Sequence, residues 1–553
     1  MASKVTGNIV GLKASALRLA ERVYRRRVRT HQVVSAELAS QLCSFSQETG
    51  RQIGVLLSRR GQPEHVFIGD ANRLWLPEFG RLRAGRGRLR GLRLIHTHLR
   101  DEGLTNDDLT DLALLRLDLV SAITISADGH PHRIHTAHLL PGEHRQPWRV
   151  LDPQLVHDDK LDPIELLRSL EEEFARQSRA QEAEGGDRAV LVHVAERGAA
   201  RSPEAHIAEL SELCRTAGVA VVDTLVQRRA RADPRYAVGK GKLDEVVLRA
   251  NQLGAELLIF DPDLTPAQAR ALGDATELKV IDRSMLILDI FAQHATTGDG
   301  KLQVELAQLR YTLPRLVAKN TMMSRLTGGI GGRGPGETKL EINRRRARER
   351  IARLERQLKA VADQRSRRRA LRQRKGLPVV SIVGYTNAGK STLLNTLTAD
   401  GVKEGALAAD KLFATLNPTS RRLRFPTERE LIINDTVGFI HDLPEELVAA
   451  FRATLEELAE TDLLVHMVDV SAPEFRDQIG AVERILAELE LDDPPRLLVF
   501  NKIDRLDPEE LEQRSRAYDA IPISALDQDS TRPLMQAIER RLWLEGKDIH
   551  DAR

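Results

Sequence analysis

The 553-residue sequence holds only two cysteines, Cys43 and Cys214. Two isolated thiols exclude a disulfide framework and a cysteine-built zinc cluster, and they fit a reducing cytosol. No apolar run approaches the ~18–20 residues needed to span a bilayer. The basic N-terminal stretch MASKVTGNIVGLKASALRLAERVYRRRVRT lacks the apolar core and cleavage site of a signal peptide. Internal repeats are absent. Net charge is nearly absent too, at +3. The expected location is cytoplasmic, with peripheral membrane association left open, and the expected assembly is a monomer.

Hydrophobic content of 41% and charged content of 29% describe a soluble globular chain. Its length exceeds what one core can organise, so roughly three or four domains are expected. The small net charge hides an uneven spread. Residues 344–375 carry 15 Arg and Lys against Glu349, Glu355 and Asp363, which leaves the rest net acidic. Such a block suggests a polyanion partner, nucleic acid above all; the bland alternative is a solvated helix face.

Five segments follow from pattern. Residues 1–185 form an α+β extension. Ile53–Leu57 and Leu92–Ile95 read as strands and Asp111–Val120 as a helix; 171–188 reads as a helix tail and a linker at Gly185-Gly186. Residues 186–300 alternate strand and helix from AVLVHV through SMLILDIFAQHA, which predicts a parallel α/β subdomain. In 301–376, Leu302, Leu306, Leu309, Leu313 and Leu316 step by heptad spacing, and so do Ile351, Leu354, Leu358 and Val361. Two such stripes predict a long antiparallel helical hairpin whose tip is the glycine-rich stretch GGIGGRGPGETKLE (328–341), with Pro314 kinking the first arm. Residues 377–545 alternate again: LPVVSIVG, LIINDT, LLVHMVDV, LLVFNK and YDAIPIS read as strands of a second α/β domain. Residues 546–553 are a tail.

The last α/β segment carries the chemistry. Gly384-Tyr385-Thr386-Asn387-Ala388-Gly389-Lys390-Ser391 fits G-x-x-x-x-G-K-[ST], and it follows a strand and opens a helix, as a phosphate loop must. Backbone N–H groups can wrap phosphates, Lys390 can reach the β and γ oxygens, and Ser391 can ligate Mg²⁺. Asp435-Thr436-Val437-Gly438 ends a later strand; its aspartate can hold Mg²⁺ and its glycine N–H can meet a γ-phosphate. Asn501-Lys502-Ile503-Asp504 ends another. Asp504 can accept from N1–H and the exocyclic amine of guanine, a donor pair that adenine lacks, so the nucleotide is GTP. Ser524-Ala525-Leu526 follows as the loop closing on the base. Between the first two motifs, LFATLNPTSRRL (412–423) reads as a switch loop, with Phe413, Ala414, Thr415, Leu416 and Asn417 near the nucleotide. Thr415 is the threonine expected to sense Mg²⁺ and γ-phosphate, with Thr419 the runner-up. Lys390, Thr415 and Gly438 are the expected catalytic group, and Ser391, Thr415 and Asp435 the expected Mg²⁺ ligands. Phe439 stands where Ras-like enzymes carry a water-orienting glutamine, so unassisted hydrolysis should be slow. The Asn387 carbonyl could help hold K⁺ beside the phosphates, or Asn387 is simply a turn residue.

Taken with YAVGKGK (236–242), LILDIFAQHA (286–295), KLQVELAQLRYTLPRL (301–316), GGIGGRGPGETKLE, GYTNAGKST, FATLNPT and DTVGFI, these motifs resemble the HflX family of GTPases over roughly 190–545. The resemblance implies a GTP-hydrolysing factor that binds the large (50S) ribosomal subunit, is stimulated by it, and splits stalled 70S ribosomes. Two departures stand out: Asn417, where the family more often has aspartate, and a tail ending at Arg553, from which a separate C-terminal domain is expected to be absent or vestigial. The glycine stretch contains G-x-G-x-x-G but follows helix rather than strand, so it is not a dinucleotide loop. In this reading it is an rRNA-facing tip, with Arg333, Lys339, Arg344, Arg345 and Arg346 meeting phosphates or bases; a flexible connector is the plain alternative. The loop Val238–Lys242 could contact rRNA or a second nucleotide, or be an ordinary junction.

The extension offers one more constellation. Leu94-Ile95-His96-Thr97-His98 is followed by Thr105 and Asp107-Asp108, and His-x-His after a strand with a later aspartate can bind zinc. The stretch resembles the JAB1/MPN metalloprotease motif, but the general-base position falls on Gln52, with Glu48 the one substitute nearby, and the histidines could be structural. Two other functions therefore stay open: a regulatory GTP switch acting on another RNA or protein, and a bifunctional chain with an N-terminal metallohydrolase.

Overall fold

The structure is a computed structural model. It describes residues 5–544 apart from 75, 77–88, 143, 145, 184–186, 199–200, 277, 296, 318–338, 374–376, 399–418, 426–427, 437, 442–460, 489–490 and 492–493. The chain divides into two compact units. One comprises Met1–Pro203, Val219–Phe260 and Ala271–Val280; the other comprises Glu204–Gly218, Asp261–Arg270 and Ile281–Arg553.

In the first unit, β1 (Thr6–Gly7), β2 (Ile53–Ser58), β3 (Pro63–Ile68), β4 (Leu92–His98), β5 (Leu119–Ile125), β6 (Pro131–Leu139), β7 (Trp148–Val150) and β8 (Gln154–Leu155) form a mixed sheet. Its order is β1-β3-β2-β4-β5-β6-β7, with β8 also on β6. Pairs β1–β3 and β4–β5 are parallel, while β2–β3, β2–β4 and β5–β6 are antiparallel. Alternation along the strands sends side chains to two cores. Val55, Leu57, Ile95 and Ile123 pack with α1 (Ala14–Glu21) and α2 (Ala36–Thr49). Leu56, Leu94, Val120 and Ala137 pack with α3 (Asn106–Leu114).

The helix expected over Asp111–Val120 is displaced. Thr105 and Asp108 close a capping box that starts α3 at Asn106. Arg116, in the left-handed region at φ 49°, breaks the chain away before Leu119 enters β5. α4 (Pro163–Ala183) is the expected helix tail, and Gly185-Gly186 lie outside the described residues.

From there β9 (Asp187–Glu196), α5 (Pro203–Ala217), β10 (Val219–Arg229), α6 (Lys240–Gln252), β11 (Leu257–Asp261), α7 (Pro266–Ala275), β12 (Lys279–Asp282) and α8 (Arg283–His294) alternate as the sequence predicts. The sheet order is β10-β9-β11-β12, with β9 and β10 parallel.

In the second unit, α9 (Gly298–Thr312) gives way at Pro314 to a 3₁₀ turn over Leu313–Val317. Proline cannot supply the N–H that an α-helix needs there. Tyr311 Oη (2.6 Å) and Arg315 (2.7 Å) both donate to the buried Asp282 carboxylate, fixing the turn. α10 (Lys339–Gln373) follows. Its expected stripe holds: Leu354 is buried and Ile351, Leu358 and Val361 are half-buried. The stripe expected on α9 is only partly observed. Leu306 is buried, but Leu302 and Leu309 are half-exposed, while Gln303, Val304, Ala307 and Tyr311 are buried, because α9 packs on both α8 and α10. Arg350–Glu305 and Arg310–Glu355, each 2.7 Å, tie α9 to α10. The tip joining them lies outside the described residues.

The remaining sheet has the order β14-β15-β13-β16-β17-β18, formed by β13 (Val379–Gly384), β14 (Thr419–Arg424), β15 (Glu430–Asp435), β16 (Leu463–Asp469), β17 (Arg496–Asn501) and β18 (Ile521–Pro522). Only the β14–β15 pair is antiparallel. Its helices among the described residues are α11 (Lys390–Leu397), α12 (Phe475–Glu488), α13 (Pro508–Tyr518) and α14 (Arg532–Glu539). Two expectations are corrected. YDAIPIS is not one strand: Tyr518 ends α13, Asp519 turns at φ 49°, and β18 has two residues. The end of the stretch read as a loop, from Thr419, is an edge strand; such strands carry polar side chains and give little apolar signal.

Candidate functional site

The nucleotide motifs sit at the C-terminal ends of β13, β15 and β17, neighbours in one sheet save for the intervening β16. Gly384 and Gly389 take φ +154° and +96°, and Asn387 takes φ 61°. At Gly384 a Cβ would meet Met467 O at 2.1 Å, and at Gly389 it would meet Asn501 Nδ2 at 2.3 Å. Glycine is therefore required at both ends of the loop by close approach of the next strands. The loop delivers Lys390 to the first turn of α11, where Nζ donates to Gly384 O (3.1 Å) and Tyr385 O (2.8 Å). Burial lowers the Lys390 ammonium pKa to about 8.

Ser391 Oγ donates to Asp435 Oδ2 at 2.6 Å, so the two side chains expected at Mg²⁺ lie together. A hydroxyl and a carboxylate oxygen are the hard donors that this ion takes, which makes the pair a fitting seat for it. Gly438 leaves no room for a side chain: a Cβ would lie 2.8 Å from Thr386 Cγ2 and 3.0 Å from Lys390 Nζ. Thr436 Oγ1 donates to Ile382 O at 2.6 Å, and the buried Thr386 hydroxyl has no hydrogen-bond partner among the described residues. Phe439 is buried; its N–H donates to Gly384 O (3.1 Å) and its carbonyl accepts from Thr386 N (2.8 Å). This residue docks the Asp435–Gly438 segment against the phosphate loop.

Asn501 bridges the remaining motifs. Its Nδ2 donates to Ala388 O at 2.7 Å and its Oδ1 accepts from Ala525 N at 2.8 Å. Asp504 is exposed, oriented by Ser524 Oγ at 2.9 Å, and Lys502 pairs with Asp469 at 2.7 Å. Ile503 opens the 3₁₀ turn that carries Asp504, and Leu526, two residues after Ser524, is 79% exposed. Phe413, Ala414, Thr415, Leu416, Asn417 and Val437 lie outside the described residues, as does Arg333. Lys339 begins α10, and Arg344, Arg345 and Arg346 follow on it, with Arg345 3.6 Å from Glu349. At Val238–Lys242, the Gly239 N–H donates to Gln227 Oε1 at 3.0 Å, so that backbone donor is already engaged.

Sequence reasoning missed a buried network around Tyr385. The Tyr385 hydroxyl donates to Glu209 on α5 and accepts from His441 N at 2.9 Å. Arg283, at the start of α8, reaches Glu209 at 3.1 Å and His441 O at 3.0 Å. Burial opposes the Arg283 charge, but Glu209 and Asp261 outweigh it and raise its pKa. Burial and Glu209 likewise raise that of Tyr385 well above the phenol range. The ring that begins the phosphate loop is thus tied both to the segment after Gly438 and to two elements well over 90 residues upstream. No local signal marks Glu209 or Arg283, because their partners are brought up by folding alone.

A lysine-bearing glycine loop, a serine–aspartate pair and the Asn501–Asp504 motif at the C-terminal ends of strands in one sheet are the arrangement of a P-loop GTPase. Residues 204–292, 294–372 and 379–502 match the families described as GTP-binding GTPase N-terminal, GTP-binding GTPase Middle Region and 50S ribosome-binding GTPase. The GTPase HflX of Caldanaerobacter subterraneus subsp. tengcongensis is 46% identical over 363 residues, covering 66% of this chain and 82% of that protein. The GTPase HflX of Escherichia coli (strain K12) is 43% identical over 366 residues, covering 65% and 84%. The crystal structure of a GTP-binding protein from Sulfolobus solfataricus in complex with GDP is 23% identical, covers 66% of this chain and 99% of that one, and gives a TM-score of 0.34, too slight a likeness to build on. The chain belongs to the HflX GTPase family. Among the described residues no helix is long and apolar enough to cross a membrane.

Proposed function

We infer that this GTPase binds the large ribosomal subunit and uses GTP to separate stalled 70S ribosomes into subunits. The observation that carries the reading is that the chain joins the phosphate loop and the Asn501–Asp504 motif to α10, whose described residues include Arg344, Arg345, Arg346 and Arg348. The match of 379–502 to the family described as 50S ribosome-binding GTPase supports it. In this reading Lys390 holds the β and γ oxygens, Gly438 N–H meets the γ-phosphate, and Asp504 fixes the base. Ser391, Asp435 and Thr415 would hold Mg²⁺, which neutralises charge developing between the phosphates. Asn387 would add K⁺ beside them.

Phe439 gives the pocket no side chain able to orient water, so the attacking water waits for an outside group. α10 and the glycine stretch meet rRNA phosphates and supply salt-dependent affinity. GTP turnover measured with and without purified 50S subunits, in K⁺ and in Na⁺, tests the reading. Strong stimulation by 50S, a shift from 70S to free subunits on sucrose gradients, and faster turnover in K⁺ are expected. Turnover indifferent to 50S with unmoved profiles would reject it, and equal rates in the two salts would reject the Asn387 role alone.

A further inference from the structure

A second basic surface, separate in sequence from α10, lies in the first unit. Residues 4–36 carry eight Arg and Lys against Glu21 alone. Arg18, Arg22, Arg25, Arg26, Arg27 and Arg29 are all exposed. Among the described residues none of these six has a carboxylate within 4.0 Å. Arg59 and Arg168 of the same unit, by contrast, pair with Asp118 and Glu172. Cations crowded together without counter-charge repel one another, and an outside polyanion relieves that repulsion.

The arginines frame a groove. Arg18 and Arg22 are four apart at the end of α1, so they are neighbours on its surface. Arg22 and Arg26 line an open groove of about 500 Å³ against α2, where Ser40, Gln41 and Ser44 add polar groups and Glu37 is the one acid. The Glu37 carboxyl is held below its usual range by its own backbone N–H and Ser35, and by Arg26 and Arg29 as well, so Arg29 stands near the same groove. The segment is fixed in place rather than loose. Arg26 Nε donates to the buried Gln41 Oε1 at 2.8 Å, and Gln41 Nε2 donates to Leu19 O at 2.8 Å. Tyr24 Oη accepts from Val66 N at 3.0 Å, and Val28 N donates to Gly61 O at 3.0 Å. The buried Arg93 donates to Val33 O at 3.2 Å and to Gln32 O at 3.1 Å. A backbone already held in this way loses less freedom on binding than a flexible tail would.

We propose that this face binds the sugar–phosphate backbone of duplex RNA, with Arg18, Arg22, Arg26 and Arg29 on phosphates and no reading of base sequence. Guanidinium groups suit phosphate oxygens, and backbone contacts position a nucleic acid without specifying it. Single strands are held by stacking bases on aromatic rings. Tyr24 is the one aromatic residue before Phe45, and it is half-buried with its hydroxyl engaged. A membrane surface would place apolar side chains beside the cations. The exposed Ile9 and Val10 instead follow Asn8, which bonds Ile68 at one end of β3, while Val28 bonds Gly61 just before the other end, about 20 Å along the strand. That the phosphates are those of RNA rests on the ribosome reading above; the phosphate chemistry does not.

The test uses full-length protein carrying Arg345→Ala, Arg346→Ala and Arg348→Ala, which weaken α10 so that binding through the first unit is read. Fluorescence anisotropy with a short labelled RNA duplex is followed across a salt series. Adding Arg18→Ala, Arg22→Ala and Arg29→Ala should lower affinity about 10²–10³-fold at about 0.1 M salt. It should also flatten the slope of log affinity against log salt by about 2–3, because each lost phosphate contact removes about 0.7–0.9. Arg26 is spared because it also holds Gln41. GTP binding and circular dichroism should match those of the parent. No RNA binding by the parent, or affinity and slope unmoved by the three added substitutions, would overturn the proposal. So would tighter binding to single-stranded RNA, to duplex DNA or to phosphatidylserine vesicles. No ribosome enters the assay, so absent 50S stimulation would reject the ribosome reading and leave this result standing.

Discussion

The phosphate loop and the histidine cluster occupy the same topological position in two different sheets. Each leaves the end of a strand and finishes in the first turn of a helix, β13 into α11 and β4 into α3. They solve opposite problems. The phosphate loop has to surround a large polyanion, so it works through the backbone, and its special residues are those that permit positive φ and close approach: Gly384, Asn387 and Gly389. The cluster instead meets through three side chains, and backbone geometry matters only in aiming them. Close approach is thus set by backbone conformation in one region and by side-chain direction in the other.

The largest way to break this comparison is at Lys390, the side chain that the phosphate loop delivers to the first turn of α11. Lys390→Ala should lower GTP hydrolysis by about 10²–10³-fold, by analogy with loss of a transition-state donor, while the fold, including the histidine cluster of the first unit, stays that of the wild type. Steady-state turnover and circular dichroism on the same preparation check both halves. Next comes base recognition. In the proposed reading Asp504→Ala would remove two charge-assisted hydrogen bonds to the base, and GTP affinity should fall about 100-fold or more while ATP affinity is unmoved. Competition binding with both nucleotides would show a nucleotide-independent loss if Asp504 were only structural.

A smaller effect is expected at Tyr385. Tyr385→Phe keeps the ring but strips Glu209 and His441 N of a buried partner, and should cost about 1–3 kcal/mol in chemical denaturation. If Tyr385 served only to contact nucleotide, stability of the nucleotide-free protein would not change. The smallest effect is in proton uptake. Lys390 titrates near 8 in the free pocket, and phosphates restore its charge, so GTP binding near pH 8 should take up about half a proton and near pH 6 close to none. Calorimetry in two buffers of different ionisation enthalpy measures this; uptake that rises toward low pH would show the sign to be wrong.

The nucleotide pocket was readable because each motif is contiguous and each lies at the end of an apolar run. Lys390, Asp435, Gly438, Asn501 and Asp504 could be named from neighbours within a few positions. Boundaries were read wrongly where a local signal was weak or misleading. Asp111–Val120 carries helix-forming leucines, yet the capping box begins the helix earlier and Arg116 ends it. The polar edge strand from Thr419 looked like loop. On α9 the heptad reading assumed one packing partner, whereas the helix has two and buries Gln303 and Tyr311 as well.

By itself, the sequence determined the guanine-nucleotide chemistry and the alternating strand and helix order, because phosphate loops and periodicity are local consequences of backbone geometry. Tertiary structure alone decided that Tyr385 answers to Glu209, Arg283 and His441, and that His96, His98 and Asp108 converge to within 3.4 Å. Contacts of that kind join residues far apart along the chain or on separate elements. Their strength depends on excluding water from a shared interior, and no stretch of sequence contains that interior until the chain has folded.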